Sequence, residues 1–90
     1  MNQLELLKRW LDHKGIIYTT NDEEVIDLKR VYISMSEHPD DFISVIYGHG
    51  SYGHNWGLLE VYVYGQQDVI GFLSALQVSK IIEKELKLYA

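Results

Sequence analysis

The densest set of side chains able to do chemistry lies between residues 48 and 57, in the run Gly-His-Gly-Ser-Tyr-Gly-His-Asn-Trp-Gly. This run combines hydrogen-bonding, titratable and aromatic side chains within ten residues. Binding residues concentrate on loops that a rigid scaffold holds in place. The sequence therefore offers a candidate small-ligand or nucleotide site, formed by His49, Ser51, Tyr52, His54 and Trp56.

The spacing of Gly48, Gly50 and Gly53 matches the pattern Gly-x-Gly-x-x-Gly. In a dinucleotide-binding site this pattern must open a helix, whose N-terminus meets the pyrophosphate. Here a β-type sequence follows Gly57, so the dinucleotide interpretation fails. A wide hairpin loop that uses glycine for positive φ is favoured, and the ligand site is the alternative.

Metal binding and catalysis have weaker support in this loop. His49 and His54 are five residues apart in a chain without cysteine, whereas a zinc site needs three or four ligands. Ser51 lies near both histidines, but no flanking pattern supplies an orienting acid or an oxyanion hole. We therefore predict no metal site, no cofactor and no enzymatic activity.

An amphipathic helix is predicted at each end of the chain to hold these segments in place. The first covers residues 2–14, with Asn2 as N-cap and Gly15 as the stop signal. The second covers residues 75–88, where Ser74 and Gln77 form a capping box. Their apolar stripes have helical spacing and consist of Leu4, Leu7 and Leu11 in the first helix and Val78, Ile81, Ile82 and Leu86 in the second.

Between the helices, apolar and polar residues alternate as in strands. Strands are predicted at Ile16–Thr19, within Val25–Met35, at Phe42–Tyr47 and at Leu58–Tyr64, with a polar turn at Asn21–Glu24. Asp68–Leu73 is either a short strand or an extended segment that leads into the second helix. Short connections between strands favour an antiparallel sheet. The predicted fold is α+β: one domain over residues 1–90, with an antiparallel sheet of three to five strands and both helices packed on one face.

The strand at Leu58–Tyr64 suggests a binding surface. If the helices cover the face that carries Leu59, Val61 and Val63, the alternate residues Glu60, Tyr62 and Tyr64 lie on the other face. Tyrosine is enriched at the buried centres of protein interfaces. We therefore predict a protein-binding patch at Glu60, Tyr62 and Tyr64, against the alternative of tyrosines that lie partly buried on a monomer's sheet.

The charge distribution argues against nucleic acid as a partner. The net charge is −5, and residues 21–41 carry seven acidic and two basic side chains. No lysine or arginine occurs between Arg30 and Lys80, so the middle of the chain lacks the cations that phosphate contacts require. An acidic DNA mimic is a further alternative, although the acids are not evenly spaced.

No apolar run is long enough for a membrane span, and residues 1–10 lack the features of a signal peptide. A protein of the cytoplasm is the simplest expectation.

Three short motifs carry a family resemblance: Gly50-Ser51-Tyr52-Gly53, then Gly57-Leu58-Leu59-Glu60, then Asp68-Val69 followed by Gly71-Phe72-Leu73-Ser74-Ala75. Over about Gly48–Ile82 the chain resembles small uncharacterised proteins encoded by phages and prophages of Gram-positive bacteria. The resemblance implies no activity. It implies a compact accessory protein inside a bacterial cell, where such acidic proteins act by binding a host protein or a defence component. A non-enzymatic binding module is therefore the leading hypothesis, with a homodimer as one form of the partnership.

Overall fold

A computed structural model describes residues 2–23, 28–35, 41–48, 56–66 and 68–87. Within these ranges the order of elements is helix, five strands, helix, which confirms the predicted α+β class. The elements are α1 (Gln3–Lys14), β1 (Thr19–Glu23), β2 (Leu28–Ser34), β3 (Phe42–Gly48), β4 (Leu59–Val63), β5 (Ile70–Leu73) and α2 (Ala75–Leu86).

Helix α1 begins and ends where its capping residues predict. The Asn2 side chain accepts a hydrogen bond of 2.8 Å from the Glu5 N–H, which satisfies an N–H of the first turn. Gly15 takes a left-handed conformation with φ of 71°. The following residue, Ile16, donates its N–H to the Leu11 carbonyl at 3.0 Å, so the chain leaves the helix through a closed C-terminal turn.

Helix α2 begins with the predicted capping box. The Ser74 hydroxyl accepts from the Gln77 N–H at 3.2 Å, and the Gln77 side chain accepts from the Ser74 N–H at 2.8 Å. The Gln3 side chain of α1 also accepts a 2.7 Å hydrogen bond from the Ala75 N–H. This last bond ties the starts of the two helices together across 72 residues of sequence.

The five strands form one sheet in chain order, and every neighbouring pair is antiparallel. The central strand β3 pairs with β2 through Val45 and Val31, and with β4 through Val45 and Val61. Val45 is therefore in register with a valine on each side. The two edges of the sheet are β1 and β5.

The first predicted strand and the turn after it are wrong. The strand was predicted at Ile16–Thr19 and the turn at Asn21–Glu24, but β1 covers Thr19–Glu23. Ile16 is instead engaged in closing α1. The backbone pairs with β2 only from Thr19, which lies opposite Tyr32, to Glu23, which lies opposite Leu28. Pairing with β2 makes this polar segment a strand.

Both helices pack on the same side of the sheet, which we call the helix face. Their apolar stripes and the alternate strand residues form one buried core, which comprises Leu4, Leu7, Leu11, Val31, Ile33, Ile43, Val45, Leu59, Val61, Val63, Ala75, Val78 and Ile82. The other side is the open face. By strand alternation β2, β3 and β4 place there Leu28, Arg30, Tyr32, Ser34, Phe42, Ser44, Ile46, Glu60 and Tyr62, with Tyr64 directly after β4.

Candidate functional site

The open face is arranged in rows that run across β2, β3 and β4. In one row Arg30 is in register with Ile46 and Ile46 with Glu60. In the next row Ser44 lies between Tyr32 and Tyr62. In each row, therefore, a shorter side chain on β3 lies between two longer side chains on β2 and β4.

A third row adds an aromatic cluster. The Tyr32 and Phe42 rings meet edge to face, with centroids 5.8 Å apart and planes at 75°. The Phe42 and Tyr64 rings are 6.2 Å apart and tilted by 37°. The Tyr64 N–H donates to the Phe42 carbonyl at 3.0 Å, which fixes this residue beside the sheet although β4 has ended. Edge-to-face packing of this kind stabilises aromatic pairs beyond their buried area.

The structure brings Glu60, Tyr62 and Tyr64 together on the open face, but their exposure differs. Tyr64 is 48% exposed, Tyr62 is partly buried, and Glu60 is only 8% exposed. Ser44 is similarly buried, at 6%. A sequence pattern assigns a residue to a face but does not show how tall neighbours on adjacent strands shield it. Most of the Glu60 residue is therefore shielded from water.

Arg30 supplies the positive charge of this face. Its Nη1 donates to the Tyr32 hydroxyl at 3.3 Å, and the residue makes a further interaction besides. Within the parts of the chain that the structure describes, no hydrogen bond or ion pair reaches the Glu60 carboxylate. The cation and the carboxylate lie on the two strands that flank β3, in the same row. Sequence reasoning did not include Arg30, Tyr32 or Phe42, because their proximity depends on the strand register.

Edge strand β5 contains an irregularity beside Glu60. Leu59 pairs with Leu73 and Val61 with Ile70, so Gly71 and Phe72 together lie opposite Glu60 in a β-bulge. Phe72 has φ of 59°, a conformation rare for an aromatic residue, and it is 54% exposed. No sequence signal marks this conformation, because it follows from the shift in pairing.

Four residues of the predicted ligand site, His49, Ser51, Tyr52 and His54, lie outside the described residues. Trp56 is described and is 74% exposed. Gly48 and Gly57, which border the loop, have φ of 149° and 71°. These values agree with glycine serving the chain reversal at both ends, and the ligand site remains a prediction.

A recess at the other end of the molecule was not anticipated from the sequence. It has a volume of about 610 Å³ and is lined by Lys8, Asp12, Gly15, Ile16, Ile17, Tyr18 and Thr20. Burial raises the pKa of the Tyr18 hydroxyl above 10.0, and a hydrogen bond with Asp12 and the charge of that carboxylate raise it further.

Within the described ranges, no three histidine, aspartate or glutamate side chains cluster in a way that suits a metal ion. None of the helices in those ranges has the length and apolar character needed to span a membrane.

No family model, no curated protein and no solved structure matches this chain. The resemblance of residues 48–82 to phage and prophage proteins therefore remains a prediction. The open face is the part of the described molecule with the clearest binding chemistry.

Proposed function

We propose that this chain is a non-enzymatic accessory protein that acts by binding a protein partner through the open face. The observation that carries the proposal is the aromatic cluster of Tyr32, Phe42 and Tyr64, on a sheet face that neither helix covers. Aromatic residues and arginine are the residue types enriched at the centres of protein interfaces. The proposed setting is the cytoplasm of a bacterial cell, in line with the family resemblance.

The composition of the face favours a protein over the other partners considered. A small ligand would need a concave site, whereas these residues spread over three adjacent strands of a sheet. A nucleic acid would need several cations, and β2–β4 offer only Lys29 and Arg30. The DNA-mimic alternative depends on the acidic side chains of residues 21–41. Four of these, Glu24, Asp27, Glu37 and Asp40, lie outside the described residues, so this alternative remains a prediction. Partly exposed aromatic rings near an arginine and a glutamate suit a partner that offers both apolar and polar groups.

The test is the double substitution Tyr62→Ala with Tyr64→Ala. Truncation of aromatic anchors removes contacts in desolvated pockets and commonly costs 2 kcal/mol or more. We expect the variant to remain folded and to lose at least tenfold in affinity, which corresponds to about 1.4 kcal/mol. Sedimentation measures association between copies, and titration against any protein captured from a bacterial lysate measures binding to another partner.

The matched control is Leu6→Ala with Leu76→Ala. Both leucines are exposed and belong to the helices, away from the open face. This control also truncates two exposed apolar side chains and should associate like the wild type. If the tyrosine variant binds as well as the control does, the open face is not the binding surface.

A further inference from the structure

We infer that the protein bound on the open face contributes a basic side chain, arginine or lysine, which contacts Glu60 and the neighbouring Phe72. This inference rests on the proposed function, because it states the chemistry of the partner at one place on the same surface. It follows from the surroundings of Glu60, from the positions of the cations in this chain and from the conformation of Phe72.

Glu60 lies in a row with apolar neighbours on both adjacent strands. Ile46 of β3 is in register with it on one side. On the other side, Gly71 and Phe72 share the position opposite Glu60. Because glycine has no side chain, Phe72 supplies the only β5 side chain at this position. Glu60 is 8% exposed, so it is a mostly shielded acidic residue between apolar neighbours.

The carboxylate of Glu60 is nevertheless within reach of a partner. On the side chains that the structure describes, no oxygen is both completely enclosed and without a hydrogen bond. The unpartnered carboxylate therefore keeps some contact with water, and a side chain from another protein can approach it from the open face.

The cations of this chain do not compensate the charge of Glu60. Arg30, in the same row but two strands away, donates to the Tyr32 hydroxyl and has a further interaction. Lys29 is adjacent to Arg30 on β2, so strand alternation places it on the helix face. The sequence contains no other lysine or arginine within residues 15–79. A compensating cation is therefore a contribution that the partner can make.

Covering the open face makes this contribution necessary. A partner that covers the face removes the remaining water from Glu60, and burying a charge without an opposite charge is costly. A basic side chain avoids this cost, because it forms a charge-assisted hydrogen bond with the carboxylate. The net charge of −5 on the chain also attracts a basic partner at long range. Charge complementarity therefore favours a basic side chain over an apolar one at this position.

Phe72 provides a second, independent indication. Its side chain is exposed although its φ of 59° is unfavourable for any residue other than glycine. Packing within the chain does not account for an exposed aromatic ring at a strained position. Strained residues concentrate at functional sites, and a cation that pairs with a carboxylate can also lie on an aromatic face. Phe72 is therefore suited to contact the same basic side chain as Glu60.

Two synthetic peptides test the inference directly. Both are capped at each end and carry a leucine on each side of the central residue, which is arginine in one peptide and its neutral isostere citrulline in the other. The arginine peptide should shift the NMR signals of the Glu60 side chain and the Phe72 ring, and should bind at least tenfold more tightly than the citrulline peptide. Added salt should weaken its binding. Equal binding of the two peptides, or no shift at either residue, would overturn the inference.

Glu60→Gln tests whether the carboxylate is the group that the arginine contacts. The substitution keeps the size of the side chain and removes its charge, so binding of the arginine peptide should fall at least tenfold. Glu5→Gln is the matched control, because Glu5 is exposed on α1 and its substitution changes the net charge by the same amount. Equal weakening by both variants would mean that only the net charge attracts the peptide, and the inference would fail.

Phe72→Gly separates a binding role from a folding role. Glycine adopts positive φ without strain, so the melting temperature should not fall. The arginine peptide should bind about threefold more weakly, because the aromatic contact is lost. A variant that melts at a lower temperature but binds the arginine peptide like wild type would show that Phe72 serves folding, which contradicts the inference.

The outcomes also separate this inference from the proposed function. Tyr62→Ala with Tyr64→Ala can weaken binding of a protein partner while Glu60→Gln leaves the affinity for that partner unchanged. In that case the open face is the binding surface, but the partner brings no basic side chain to Glu60, and only this inference is overturned. If none of these substitutions affects binding of the partner, both proposals fail.

Discussion

The two faces of one sheet differ in chemistry although the same strands supply both. On the helix face, Val31, Val45 and Val61 lie side by side and are fully buried. In the adjacent row of the sheet, the open face presents tyrosine, serine and tyrosine at Tyr32, Ser44 and Tyr62. Alternation along a strand thus separates the two roles, residue by residue.

This difference indicates what each face contributes. Full burial of a valine or leucine side chain is worth about 1.5–3 kcal/mol, so the helix face accounts for much of the folding free energy of a small domain. The open face keeps charge and partly exposed rings near the surface, and such residues are worth more to a complex than to a monomer. Substitutions on the two faces should therefore affect different measurements.

The largest loss of stability is expected from truncating core residues on the helix face. Leu7 in α1 and Ile82 in α2 are fully buried in the core. Leu7→Ala or Ile82→Ala should lower the free energy of unfolding by roughly 2–5 kcal/mol, because each leaves a cavity. Chemical denaturation followed by circular dichroism measures the loss. A loss below about 0.5 kcal/mol for both would mean that the helices do not hold the sheet in the way described.

An intermediate effect tests how α2 is placed on the helix face. Ser74→Ala removes the hydroxyl that accepts from the Gln77 N–H, and losing an N-cap costs about 1 kcal/mol. Ser74→Asp keeps an acceptor at the same position and is the matched control. Thermal unfolding should show a lower melting temperature for Ser74→Ala than for Ser74→Asp. Equal melting temperatures would show that the Ser74 cap does not stabilise α2.

The smallest effect concerns the recess near β1, where Ile16 and Tyr18 pack against the rim of the core. Because the pKa of Tyr18 is raised on folding, the folded state holds this proton more tightly than the unfolded chain does. Its contribution to stability is complete below about pH 10 and is lost as pH rises through the raised pKa. The free energy of unfolding should fall less between about pH 8 and about pH 11 for Tyr18→Phe than for wild type. An identical drop would exclude a role for this hydroxyl.

Local signals in the sequence were sufficient to predict where the helices begin and end. They were also sufficient to assign the residues of β4 to the two faces of the sheet. Asn2, Gly15, Ser74 and Gln77 act within a few residues of their own positions, so their roles are readable without the fold. Alternation likewise places Tyr62 opposite in direction to Val61 on the same strand.

Features that depend on pairing between distant residues were not readable in this way. Strand β1 is polar and lacks alternation, and only its partner β2 makes it a strand. The burial of Glu60, its place in a row with Arg30 and the conformation of Phe72 all follow from strand register. Register is a property of the assembled sheet, which a local pattern does not contain.

The central claim is that the helix face folds the chain and the open face binds, and neighbouring residues of β4 test it most directly. Val61→Ala and Tyr62→Ala are to be compared for the free energy of unfolding of the isolated chain and for the dissociation constant of the complex that the open face is proposed to form. We predict that Val61→Ala lowers stability by about 2 kcal/mol and leaves association unchanged. Tyr62→Ala should weaken association by about fivefold or more while costing less than about 1 kcal/mol in stability. A Tyr62→Ala variant that unfolds like Val61→Ala, or that associates like wild type, would contradict the account.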